Sequence, residues 1–220
     1  MFTGLIHSVG KVQRKACDLI LVEGCESFSP LKLGDSISVD GVCLTAAELV
    51  DGGFVANVSE ETFNRTNLGK KSDLKGFVNL EPALRLSDRL GGHLVSGHID
   101  CIGEIVKIET LNGSWHIEIS LEEKKFGRFL CEKASISVDG ISLTVAGCMQ
   151  NGSSFWIAVI PHTWSNTTLH YLQKGSLVNL EMDLMAKYAE TLLAMKGDRH
   201  FSDNHDSQIT KEWLQNHGWT

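Results

Sequence analysis

Two stretches decide the fold: SISVDGVCLT at residues 36–45 and SISVDGISLT at residues 135–144. They differ only where Val42 stands against Ile141 and Cys43 against Ser142. In each, apolar and small polar residues alternate on both sides of an Asp-Gly pair. That is the signature of two short strands joined by a two-residue hairpin turn. With so tight a turn, Val39 faces Val42 and Ile37 faces Leu44, forming one apolar face. Ser36, Ser38, Cys43 and Thr45 share the other face. The second copy repeats this, with Ile136, Val138, Ile141 and Leu143 on one side and Ser135, Ser137, Ser142 and Thr144 on the other.

The hairpin is one of four blocks that recur in the same order. MFTGLIHSVGKV at the start resembles HLVSGHIDCIGEI from His93, matching Gly4 to Gly97 and Gly10 to Gly103. ETFNRTNL (61–68) resembles HTWSNTTL (162–169), and FVNLE (77–81) matches LVNLE (177–181). The displacement is roughly 93 to 101 residues throughout, too long for a solenoid repeat and right for a duplicated domain. Many short strands with turn signals suggest a small closed barrel, because closure removes exposed strand edges.

After the second copy the pattern changes. Leu184, Tyr188, Leu192 and Met195 fall at helical spacing between Asp183 and Met195. GDRHFSDNHD (197–206) reads as a polar linker. SQITKEWLQNHG reads as a short helix capped by Ser207, with Ile209 and Trp213 on one face and Gly218 as its stop. Apolar helices outside the duplicated domains point to subunit contact.

Composition removes several function classes. The 220 residues carry a formal net charge of -7, with no basic cluster of the kind a nucleic-acid surface needs. No apolar run reaches the ~18 residues of a membrane helix, and MFTGLIHSVG lacks the layout of a signal peptide. The six cysteines, at 17, 25, 43, 101, 131 and 148, form no C-x-x-C pair and read as reduced thiols of a cytoplasmic protein. His93, His98, Asp100 and Cys101 cluster in sequence without a zinc-like spacing, so no metal is expected.

MFTGLI, GDSISVDGVCLT, ETFNRTNLG, RLGGHLVSGHID, SISVDGISLT, IPHT and VNLE-x-D-x-x-AKY resemble the riboflavin synthase family, from Met1 to about Tyr188. The tail ITKEWLQNHGW is also similar to some family members. The resemblance implies an all-β fold with a C-terminal α-helix: two tandem six-stranded Greek-key barrels related by internal duplication. It places an N-terminal lumazine-binding barrel at 1–93, a second at 94–186, and a helical oligomerisation segment and tail at 187–220. It implies a homotrimer, no cofactor, and dismutation of two 6,7-dimethyl-8-ribityllumazine molecules to riboflavin and 5-amino-6-(ribitylamino)uracil. The chemistry would begin with loss of a proton from the C7 methyl of one lumazine. The pocket of an N-terminal barrel would meet that of a neighbouring subunit's C-terminal barrel. Lumazine synthase is a possible partner, and nucleic acid and membrane are not expected.

Carried over position by position, the resemblance nominates Cys43, Ser142, His98, Phe2 and Thr144 for catalysis. Binding positions are Gly4, Leu5 and Ile6 with their counterparts Gly97, His98 and Ile99, and Cys43, Leu44 and Thr45 with theirs, Ser142, Leu143 and Thr144. They continue with Asn57, Val58, Ser59, Glu60, Glu61 and Thr62 in the first copy. Their counterparts are Ala158, Val159, Ile160, Pro161, His162 and Thr163. Lys133 stands where the first copy has Gly34, and Asp183 is a weaker candidate that an end-of-barrel capping role would equally explain. Hydroxyls suit a ring of alternating carbonyls and nitrogens, because they both donate and accept. A lone Cys is more often a small buried hydrophobe, but Cys43 lies on the polar face of a repeated hairpin. Of the histidines, His98 is the expected base or relay, and His93 is as readily structural. Two other classes compete: a lumazine- or flavin-binding paralogue without catalysis, and a structural twin-barrel scaffold. Intact motifs in both copies favour the enzyme.

Overall fold

The computed structural model describes residues 1–28, 30–149, 152–198 and 211–218. The first copy contains β1 (Ser8–Arg14), β2 (Leu19–Glu23), β3 (Ser36–Val39), β4 (Val42–Thr45), β5 (Glu48–Val50) and β6 (Gly53–Asn57). The short helices α1 (Glu60–Arg65) and α2 (Leu68–Asp73) precede β7 (Phe77–Pro82). The second copy contains β8 (Cys101–Leu111), β9 (Ser114–Leu121), a 3₁₀ turn (Lys124–Phe129), β10 (Ser135–Val138), β11 (Ile141–Cys148) and β12 (Ser154–Val159). It ends with α3 (Pro161–Asn166), a second 3₁₀ turn (Thr168–Tyr171) and β13 (Leu177–Met182).

The second sheet closes into a barrel of order β10-β11-β12-β9-β8-β13. The first follows the same path, β4-β3-β7-β1-β2-β6-β5. Its seventh strand is no addition. β4 and β5 together match the single long β11, which itself carries an irregularity between Val145 and Gly147. Both sheets are therefore six-stranded barrels in design.

The hairpins pair as the alternation requires, Ile37 against Leu44 and Ser38 against Cys43, Ile136 against Leu143 and Ser137 against Ser142. Their apolar faces supply the barrel interiors. Ile37, Val39, Val42 and Leu44 pack with Val12, Ile20, Val22 and Phe54, and Ile136, Val138 and Ile141 with Ile105, Ile117, Ile119 and Phe155. Both Asp-Gly turns have positive φ at both residues (47° and 82°; 45° and 80°), the mirror-image turn that suits twisted strands.

These turns are buried, against the usual habit of hairpin loops. They meet tip to tip between the barrels, so that a Cβ on Gly41 would lie 2.9 Å from the Gly140 nitrogen. Asp40 and Asp139 are both fully buried there. Asp40 Oδ1 accepts from the Asn79 N–H at 2.7 Å, and Asp139 Oδ1 from the Asn179 N–H at 2.7 Å. Each Asn side chain then donates across the junction, Asn79 to the Asp139 carbonyl and Asn179 to the Asp40 carbonyl, both at 2.9 Å. A single cation breaks this near-symmetry. Lys71, from α2, donates to Asp40 Oδ2 and to Asp139 Oδ2 (3.0 Å).

Met1–Lys187 forms one compact body and Tyr188–Thr220 a second. Helix α4 (Leu184–Asp198) begins at Asp183, whose Oδ1 accepts from the Met185 N–H at 2.9 Å as a cap. It extends three residues beyond the expected end at Met195. Helix α5 (Lys211–Asn216) is followed by Gly218 at positive φ. The expected cap Ser207, Ile209, and the linker from residue 199 lie outside the described residues, as does the Trp213 side chain.

Candidate functional site

The segments flanking the barrels exchange places. Phe2 and Val95 form an isolated antiparallel bridge with hydrogen bonds in both directions. This lays the opening loop of each copy against the hairpin of the other. The Ser142 N–H donates to the Gly4 carbonyl at 2.8 Å, and the Cys43 N–H to the Gly97 carbonyl at 2.9 Å. Two equivalent sites result, each built from both copies. One combines Cys43, Leu44 and Thr45 with Gly97, His98 and Ile99. The other combines Ser142, Leu143 and Thr144 with Gly4, Leu5 and Ile6.

Glycine is required at the crossing points. Gly4 and Gly97 have φ of 76° and 86°, and a Cβ on them would lie 2.6 Å from Ser142 Cβ and 2.5 Å from Cys43 Cβ. Buried carboxylates from β7 and β13 hold the loops. Glu81 Oε1 accepts from the Thr3 N–H and hydroxyl, both at 2.7 Å, and its Oε2 accepts from the Gly4 N–H at 2.9 Å. Glu181 does the same for Ser96 (2.7 and 2.6 Å) and Gly97 (2.9 Å). Burial raises the Glu81 carboxyl above the usual range, and the hydrogen bonds from Thr3 and Gly4 pull it back. The VNLE repeat is thus explained. Each glutamate sits in one barrel and shapes the site on the other barrel's hairpin.

The hairpin side chains grade from inside to outside. Ser38 and Ser137 are buried, Cys43 and Ser142 half-buried, Thr45 and Thr144 exposed. Only the outer end of each polar face is therefore open. The side chains of Leu44, Val58 and Val159 belong to the barrel cores, so these positions offer a ligand backbone groups alone. Asn57 and Ala158 are exposed beside them.

Each barrel then presents a helix start. Ser59 caps α1, its Oγ accepting from the Thr62 N–H at 3.1 Å, with exposed Glu60 and Glu61 in the first turn. Ile160 precedes α3, where Pro161 occupies the first turn in place of a side-chain cap. His162 is exposed and its carbonyl accepts from Asn166 Nδ2 at 2.7 Å, while Thr163 is half-buried. Trp164, next in α3, stacks on Trp115 of β9 with centroids 4.6 Å apart. Its counterpart Phe63 lies instead under the Arg14 guanidinium.

The sites differ at their centres. Phe2 is fully buried with its ring beside Gly97, in the Cys43 site. In the other, His93 Nδ1 lies 2.7 Å from Ser142 Oγ. His98 is exposed, and its backbone N–H donates to Ser96 Oγ at 3.3 Å. No local motif sets His93 apart from the other histidines. Its partner Ser142 is 49 residues away and is met only through the crossing. Lys133 is exposed at φ 70°, a conformation its counterpart Gly34 (86°) adopts without strain. Cys25 and Cys101 are core residues whose thiols burial pushes up to about 12, and no cysteine is in a disulfide. Among the described residues no helix is long and apolar enough to cross a membrane.

Comparison with known proteins matches this duplicated architecture. The lumazine binding domain model matches twice, at residues 3–83 and 96–183. The chain is 39% identical over 223 residues to riboflavin synthase of Actinobacillus pleuropneumoniae, covering all of both chains. It is 34% identical over 226 residues to that of Bacillus subtilis, again over the full length of both. With the enzyme of Mycobacterium tuberculosis it shares 40% over 203 residues, 90% of this chain and all of the relative. Among solved structures, LumP complexed with 6,7-dimethyl-8-(1'-D-ribityl) lumazine superposes with a TM-score of 0.71. At 20% identity over 83% of this chain and 99% of LumP, that likeness concerns the fold. Two lumazine binding domains in tandem, and 39% and 40% identity to riboflavin synthases over 100% and 90% of the chain, place this chain in the riboflavin synthase family.

Proposed function

We propose that the protein is a riboflavin synthase, dismutating two molecules of 6,7-dimethyl-8-ribityllumazine. One lumazine gives up a four-carbon unit and leaves as 5-amino-6-(ribitylamino)uracil, and the other becomes riboflavin. The observation that carries this reading is the pair of crossed, equivalent sites. A reaction between two copies of one substrate needs one recognition surface twice, and a duplicated barrel supplies it. The division at residues 93/94 and 186/187 follows the repeat, with the N-terminal segment reaching across it.

In this reading the ring of each lumazine lies against a hairpin edge, its carbonyls and nitrogens met by Thr45 or Thr144 and by backbone groups of the crossed loop. The ribityl hydroxyls extend to the start of α1 or α3, where Ser59, Glu61, Thr62, His162 and Thr163 offer donors and acceptors. Cys43 and Ser142 stand at matching places beside the rings, with His98 and Lys133 at the exposed margins. Phe2 acts by packing the Cys43 site. Asp183 acts as a helix cap. Positioning two rings is the larger contribution, since bringing two reactants into register removes much of the entropic barrier. The two rings meet where the N-terminal barrel of one subunit faces the C-terminal barrel of the next in a homotrimer. Met185, Tyr188, Leu192 and Leu193 are exposed apolar residues on α4 suited to holding such an assembly. Cytoplasmic residence and docking with lumazine synthase belong to the same proposal.

The test is to incubate the purified protein with 6,7-dimethyl-8-ribityllumazine alone. Two lumazines consumed per riboflavin formed establishes the reaction. Tight binding with a shifted spectrum and no riboflavin establishes a binding paralogue instead.

A further inference from the structure

We infer that His93 is a positioning residue that fixes the Ser142 hydroxyl as a hydrogen-bond donor to the ligand of the second site. The inference rests on the proposed role of Ser142 as a ligand-facing residue, and it starts from a nitrogen without a partner.

His93 is nine-tenths buried. Its backbone N–H donates to the Thr3 carbonyl at 3.1 Å, which pins it against the opening loop. Ring atom Nδ1 lies 2.7 Å from Ser142 Oγ. Ring atom Nε2 is buried and has no hydrogen-bond partner among the described residues. Burial lowers the proton affinity of the ring, with Asp183 and then Glu181 opposing it. The ring is accordingly neutral at neutral pH and carries one proton.

Which nitrogen carries that proton follows from the cost of burial. A buried N–H without an acceptor is among the rarest features of folded proteins, whereas an under-used acceptor is tolerated better. The proton therefore sits on Nδ1, and Nδ1–H donates to Ser142 Oγ. The serine oxygen already receives a hydrogen bond, so its own proton is directed away from His93. The half-buried Ser142 lies on the face of the hairpin that continues to exposed Thr144, so that donor is offered toward the site. The Ser142 N–H is held separately by the Gly4 carbonyl.

Among the described residues the Cys43 site has no such arrangement. There the neighbour across the crossing is the Phe2 ring, close to Gly97, which supplies no hydrogen bond to the thiol. The pockets thus differ in kind: one offers a strong, oriented hydroxyl donor and the other a weakly bonding thiol beside an aromatic ring. This gives the Cys-to-Ser change between the repeats a chemical meaning.

The test is a double-mutant cycle with a rescue. Steady-state turnover of 6,7-dimethyl-8-ribityllumazine is measured for His93→Leu, Ser142→Ala, the double variant, His93→Asn and His93→Gln, with thermal unfolding as the folding check. His93→Leu is expected to lower kcat about tenfold, the worth of one oriented hydrogen bond. The double variant should be no worse than Ser142→Ala alone. His93→Asn should recover most of the activity, since its Nδ2 occupies the place of the histidine Nδ1, and His93→Gln should not. Should His93→Leu fail to fold, the Asn and Gln pair decides. Independent, multiplying effects of the two sites overturn the inference, as does an Asn variant as poor as Gln. Full activity in Ser142→Ala sinks the proposed role of Ser142. An impaired Ser142→Ala beside a fully active His93→Leu sinks only the role of His93.

Discussion

Replacing Asp40 by Asn should remove a pH dependence from the stability of the double barrel. Asp40 and Asp139 are both fully buried at the junction of the two hairpin turns, and Lys71 is the cation between them. Two carboxylates and one ammonium leave one negative charge in excess if all three ionise. Burial pushes the Asp40 carboxyl up from 3.8 to about 7, with Lys71 opposing and the nearby Asp139 adding to the rise. Burial likewise works against the charge on Lys71, but Asp139 and Asp40 together hold it above the ordinary lysine range. A folded-state value above the unfolded one means that the folded protein holds a proton the unfolded chain has released. The stability that this carboxyl contributes is then whole below about 3.8 and is lost as pH rises through about 7. Between about pH 5 and pH 8 the loss is on the order of 3 kcal/mol, at roughly 1.4 kcal/mol for each pKa unit traversed. Asn tolerates the positive φ of this turn and keeps an acceptor for the Asn79 N–H, but it has no charge to bury. Urea unfolding followed by tryptophan fluorescence at several pH values is the assay. The stability difference between wild type and Asp40→Asn should move in favour of the variant by about 3 kcal/mol from pH 5 to pH 8. Parallel curves would refute the reasoning, since Asp40 would then be ionised throughout and Lys71 would outweigh the burial.

Lys71→Met should destabilise by about 3–5 kcal/mol at pH 8, because it strands buried carboxylate charge, and less at pH 5, where Asp40 holds a proton; the same unfolding series reads this. Glu81→Gln should weaken ligand binding at the Ser142 site and Glu181→Gln at the Cys43 site. Calorimetric titration with riboflavin would then show one weakened site in each variant, and both sites failing in either variant would contradict the crossed assignment. Gly97→Ala should cost about 1–3 kcal/mol of stability and most of the activity, since positive φ and the contact with Cys43 both oppose a Cβ; a variant that behaves as wild type would mean that the loop can move aside.

Much of this molecule was legible in its sequence because the decisive signals are local. Period-two alternation around an Asp-Gly turn fixes which residues of each hairpin face inward, and the observed register, Ile37 with Leu44 and Ile136 with Leu143, follows from it. Four collinear blocks establish the duplication, and their motifs carry the family. The spacing of Leu184, Tyr188 and Leu192 locates α4. A repeat, however, states which residues are equivalent and is silent on which copy each one touches. Gly4 resembles Gly97, and only closure of both barrels, with Phe2 bridged to Val95, sends each to the other copy's hairpin. His93 reads as one histidine among nine until that crossing brings Ser142 to its ring. Asp40 reads only as half of a two-residue hairpin turn. It becomes a buried charge because the two turns abut, and Lys71 becomes its partner because α2 packs at the same junction. Strand faces are set by neighbours in the chain, and the sequence determines them. The make-up of the sites, and the charge held between the barrels, depend on segments far apart in the chain that meet only when both barrels have closed.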